Sequence, residues 1–104
     1  MTPVSSALRL PSELTHRQAA ACLAQLLQSL RAVSGGGAAV VDASALQVFD
    51  TSALAVLLEF RREALAAGVS FGVQGLPAAL QGMAGLYGVD ALLQVAAASQ
   101  TSPH

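Results

Sequence analysis

Three consecutive residues, Asp50-Thr51-Ser52, carry the side chains best placed for chemistry. They lead into an apolar segment that starts near Leu54. Asp, Thr and Ser can each accept a bond from the open N–H groups of a helix's first turn. A carboxylate there also faces the favourable end of the helix dipole. One cap needs one such side chain. With Asp50 as the cap, the Thr51 and Ser52 hydroxyls are left exposed on the turn. Small Ala53 and Ala55 beside them would let another backbone come close. Val56 and Glu59 continue the outward face at i+4 and i+7 from Ser52. The reading is a shallow patch made of Asp50, Thr51, Ser52, Ala55, Val56 and Glu59, with hydroxyls at one end.

Other chemistry finds little support. Gly35-Gly36-Gly37 lacks the following Lys and Ser/Thr of a phosphate-cradling loop. His16, His104 and Cys22 have no metal-ligand spacing. No Ser sits in a Gly-x-Ser-x-Gly turn, and His16, at a helix start, reads as a surface residue. Glu59 and Glu63 lie four apart near Arg62 and fit a solvated helix face better than an acid–base pair. No enzyme activity, metal or cofactor is expected.

The elements that must position the patch alternate. Ala7-Leu8-Arg9-Leu10 reads as a strand with one buried face, ended by Pro11 and Ser12. Thr15 and Gln18 make a capping-box pattern. The spacing of Leu23, Leu26, Leu27 and Leu30 then predicts a helix over about 16–33. Ser34 to Gly37 stops it. Ala38 to Val41 suits a strand covered on both faces, closed by Asp42, and 43–49 crosses over. A second helix is expected from about Thr51 to Ala67, with Leu54, Leu57, Leu58 and Leu65 inward and Gly68 as its left-handed stop. Val69 to Val73 alternates as a strand. Pro77 opens a third helix with Leu76, Leu80, Met83 and Tyr87 near helical spacing, ended by Gly88. Asp90 to Val95 adds a strand or a short helix. This order predicts an α/β fold, one domain over 7–95 with a mainly parallel sheet and helices packed on it. Residues 1–6 and 96–104 are expected to be flexible ends.

Bulk properties narrow the partner. The 104 residues suffice for one domain. Apolar residues make up 54% and charged residues 11%, against a usual charged share of about 25%. Uncharged side chains must therefore face outward, which favours a domain that spends its life in contact with something. A GC-rich genome is a second source of the same bias, since all five positive charges are Arg. With a net charge of −1 and the arginines scattered, there is no basic stripe for nucleic acid. The single Cys22, within an Ala/Leu-rich helix, fits a buried thiol in a reducing compartment. Met1 to Ser6 lacks the basic stretch and apolar run of a secretion signal. Residues 64–89 carry no charge, but their glycines, Pro77 and glutamines break any membrane-spanning pattern. A cytoplasmic protein without membrane insertion is expected.

At this point the chain resembles a family. Val40-Val41-Asp42-Ala43-Ser44-Ala45-Leu46, followed by Phe49-Asp50-Thr51-Ser52-Ala53-Leu54-Ala55-Val56-Leu57-Leu58, is similar to the core signature of STAS domains. These domains occur in sulfate transporters and anti-sigma-factor antagonists. The likeness covers about residues 7–93. It implies a STAS-like fold, with a four- to five-stranded, mostly parallel mixed sheet. Asp50-Thr51, Val73-Gln74-Gly75 and Met83-Ala84-Gly85-Leu86-Tyr87-Gly88-Val89 look most like the MlaB type, the STAS subunit of the Mla phospholipid-transport ABC complex. That likeness implies a non-catalytic subunit docked on a cytoplasmic ABC-transporter ATPase, at the inner face of the inner membrane through the complex. The family's key hydroxyl falls on Thr51. In the antagonist branch that position is phosphorylated by an anti-sigma-factor kinase, so Thr51 and Ser52 are the phosphorylation candidates under that alternative. Two departures stand out. Ala53 occupies a place that is usually Gly, and only Met1 to Ser6 precede Ala7, so the first family strand is short or missing.

Overall fold

The computed structural model describes residues 8–33 and 37–93. The ends expected to be flexible, 1–6 and 96–104, lie outside the described residues, as do Ala7, most of the Ser34–Gly37 connection and the last two residues of the Asp90–Val95 element. The elements are β1 (Glu13–Leu14), α1 (Ala19–Leu30), β2 (Ala38–Asp42), β3 (Val48–Phe49), α2 (Thr51–Ala66), β4 (Ser70–Gln74), α3 (Ala78–Leu86) and a 3₁₀ turn, Asp90–Leu93.

β2 and β4 pair in parallel, Ala38 opposite Ser70 through Asp42 opposite Gln74. On the other side of β2, Leu8 and Leu10 are buried around an exposed Arg9, as the alternation predicts. Leu10 N donates to Asp42 O at 2.9 Å, and Asp42 N donates to Leu8 O at 2.8 Å. The pairing breaks there, because Pro11 has no N–H to carry a ladder onward. It resumes where the Ser12 carbonyl accepts from both Gln47 N at 2.7 Å and Val48 N at 2.9 Å. Beyond that point β1 and β3 form a second, two-residue parallel ladder, Glu13 opposite Val48 and Leu14 opposite Phe49. Among the described residues the named strands thus form two parallel ladders, β2 with β4 and β1 with β3. Every named strand pairing among the described residues is parallel.

Helix α2 anchors the core. Phe60 is fully buried and meets the Phe71 ring of β4 at a centroid distance of 6.0 Å, tilted by 59°. Ala53, Leu54, Val56, Leu57 and Ala64 are buried on the same helix. From α1, Cys22, Leu26 and Leu30 join them, with Leu23 and Leu27 half-buried at the margin. Burial pushes the Cys22 thiol up from its usual pKa, so the side chain packs as a small apolar group, as expected.

Several boundaries differ from expectation. The α1 helix begins at Ala19, because Thr15 to Gln18 forms a separate turn closed by Gln18 N to Thr15 O at 3.0 Å. Gln18 Oε1 still accepts from Thr15 N at 2.8 Å, so half of the capping box is made. Strand β2 is fully covered on one face only, with Ala39 and Val41 buried and Val40 half-buried. Leu65, expected inward, is 47% exposed, because the buried row of the last turns runs through Leu57, Phe60 and Ala64 and leaves Leu65 to one side of it. Tyr87 is 62% exposed at the end of α3, where Leu80 and Ala84 carry the buried face. Gly68 and Gly88 end their helices at φ 78 and 72 as expected.

One glycine does more than end an element. Gly75 has φ +73, and a Cβ there would stand 2.8 Å from Ser44 Cβ. It follows β4 and lies against the turn after β2, where Ser44 N donates to Asp42 Oδ1 at 2.9 Å. The Ser44 hydroxyl and N–H bonds hold the Asp42 carboxyl below its usual pKa.

Candidate docking surface

The small β1–β3 ladder decides where the site forms. Leu14 and Phe49 are paired neighbours, so the residues that follow them leave the sheet side by side. One chain turns through Thr15–Gln18 into α1, and the other enters α2 at once. Asp50 sits between the two. Its backbone is extended, at φ −135 and ψ −165, and its Oδ1 accepts from Ser52 N at 2.8 Å. Its other oxygen, Oδ2, accepts from the main-chain N–H of His16 at 3.2 Å. The His16 ring Nδ1 lies 3.5 Å from the same oxygen, a long contact for a side chain 76% exposed. The Ser52 bond first, and the His16 bond after it, hold the Asp50 carboxyl below the ordinary carboxylate range.

Thr51 is therefore the first residue of a helix whose start is fixed from two sides. It is exposed, and Ser52 is half-buried. Ala55 is exposed one turn on. Glu59 follows another turn on and reaches Arg62 Nη1 at 3.7 Å. Thr51, Ala55, Glu59 and Arg62 recur at helical spacing and form one outward strip. A hydroxyl at one end, a small apolar step and a weak ion pair at the other suit shallow contact with a protein surface.

One residue of the expected patch, Val56, is not available, nor is the small Ala53 beside it. Val56 is 3% exposed and belongs to the core. Its spacing from Ser52 suggested an outward position, but it lies three residues after Ala53 and four before Phe60, in the buried row of α2. Ala53 is fully buried as well, so Ala55 alone offers the small exposed step. The expected patch missed the second oxygen of Asp50. The partner of that bond, His16, is 34 positions away and gives no local signal.

The chain matches a protein-family model described as "Mlab, STAS domain" over residues 1–94. It belongs to the STAS domain family. No curated protein matches it. STAS domains are in general non-catalytic modules of protein–protein interaction, which fits a surface built from a rigid helix start and an uncharged step. Among the described residues no three His, Cys, Asp or Glu side chains come together in a metal-binding group. No helix among them is long and apolar enough to cross a membrane.

Proposed function

We propose that this STAS domain docks on a cytoplasmic ABC-transporter ATPase of phospholipid transport and supports or regulates it, without catalysis of its own. The observation that carries the reading is the exposed Thr51 at a helix start fixed by Asp50, followed outward by Ala55 and Glu59. The likeness of Asp50-Thr51 and of 83–89 to the MlaB type supports the choice of partner. Docking would place the domain at the inner face of the inner membrane through the complex. Affinity capture of the tagged chain from its native cells, with mass spectrometry of the captured proteins, tests the partner. An ABC-type ATPase enriched with the wild-type chain supports the reading, and its absence contradicts it.

The exposed Thr51 hydroxyl also suits a second reading, an anti-sigma-factor antagonist switched by phosphorylation. A phosphate there adds about −1.5 to −2 charges beside Asp50. Thr51 is the better acceptor of the two candidates, because Ser52 is half-buried. Incubation with the cognate kinase and ATP would then give a mass shift located at Thr51.

A further inference from the structure

We propose that Asp50 is the positioning residue of this surface: its second carboxylate oxygen binds the entry of α1 to the start of α2, so that Thr15–Arg17 and Thr51–Ser52 act as one rigid docking face. The docking part of this proposal rests on the function given above. The bond itself stands apart from it.

Ser, Thr, Asn and Asp all cap, and each needs a single acceptor atom to do so. Here the cap uses Oδ1 alone, bonded to Ser52 N at 2.8 Å. Only a carboxylate offers a second acceptor on the same short side chain. Oδ2 takes the His16 N–H at 3.2 Å. That N–H belongs to the turn Thr15–Gln18, whose own closing bond runs from Gln18 N to Thr15 O. Thr15 Oγ1 further accepts from Arg17 N at 3.3 Å and bonds to Gln18 Oε1 at 2.8 Å. The turn is therefore internally braced, and the bond to Asp50 fixes it as a unit against α2. His16 and Arg17 are both exposed, and His16 bonds the residue that precedes the exposed Thr51. A partner that reaches Thr51 meets this turn in a set position, without having to order it on binding.

Two substitutions separate the second bond from the cap. Asp50→Asn keeps one acceptor oxygen for Ser52 N but turns an NH₂ toward the His16 N–H, and two donors cannot bond. His16→Pro removes the donor instead. It does so at the second position of a turn, where proline is favoured. Hydrogen exchange on the full chain reads the bond directly. In Asp50→Asn, exchange at the His16 amide rises about tenfold while Ser52 stays protected. Binding to the captured ATPase falls about tenfold in each single variant, and the double variant loses no more than either one. Unchanged His16 exchange in Asp50→Asn overturns the positioning role, whatever the partner result. Altered exchange with undiminished ATPase binding overturns the link to docking. If the wild-type chain binds no ATPase, the docking reading fails, and the exchange result still decides the bond.

Discussion

His16 and Asp50 are 34 positions apart, yet the His16 main-chain N–H donates to Asp50 Oδ2 at 3.2 Å. The register of Leu14 with Phe49 makes that possible, since it brings the two chain segments out of the sheet together. A two-residue ladder thereby sets the surface on which the functional reading depends.

The pH response of this region follows from the sign of the Asp50 shift. Its folded pKa is depressed, chiefly by the Ser52 N–H. The stabilisation is therefore complete above the unfolded value of about 3.9 and is lost as pH falls through the folded value. The melting temperature of Asp50→Ala should lie below that of the wild-type chain by a constant gap from neutral pH to about pH 5. The gap should begin to close below about pH 4 and close fully only below the folded pKa of Asp50. Thermal melts of both chains across this range check it, and a gap that widens with acid would contradict it.

Val56 and Ala55 are adjacent but face opposite environments. Val56→Ala should lower stability by about 2 kcal/mol in urea unfolding, since it removes two methyl groups from a packed core. Ala55→Arg should leave stability within about 0.5 kcal/mol. It should nonetheless block docking by setting a long charged side chain on the small step of the interface. Equal effects of the two on binding, after correction for the fraction folded, would contradict the assignment.

The contrast between these neighbours shows what could be read from residue order. The α2 helix was legible because its apolar period, the Asp50 cap and the Gly68 stop agree within one segment. The alternation of strands and helices was legible for the same reason. Strands β1 and β3 were not, because two residues cannot show a period and their pairing depends on distant chain. Val56 was misplaced by counting from Ser52, a flanking position, instead of from Phe60, which centres the buried face. Leu65 and Tyr87 keep helical spacing but lie beside the buried rows carried by Phe60 and Ala64 and by Leu80 and Ala84, which spacing alone does not reveal.

Gly75 and Gly68 both have positive φ, at 73 and 78, but only Gly75 is crowded. Gly68→Ala should cost about 1 kcal/mol for the left-handed backbone alone. Gly75→Ala must also displace the Ser44 backbone and should cost more, about 2–3 kcal/mol. Denaturant midpoints of the two variants check the order, and equal midpoints would contradict the contact with Ser44.

Thr51 stands at the centre of the account, and the most direct measurement is binding of the ABC-transporter ATPase to chains that differ only there. Thr51→Ser keeps the hydroxyl and should bind like the wild-type chain. Thr51→Glu places a charge against the partner surface and beside Asp50, and should lose the complex while remaining folded. A Thr51→Glu chain that binds the ATPase undiminished would contradict the central claim.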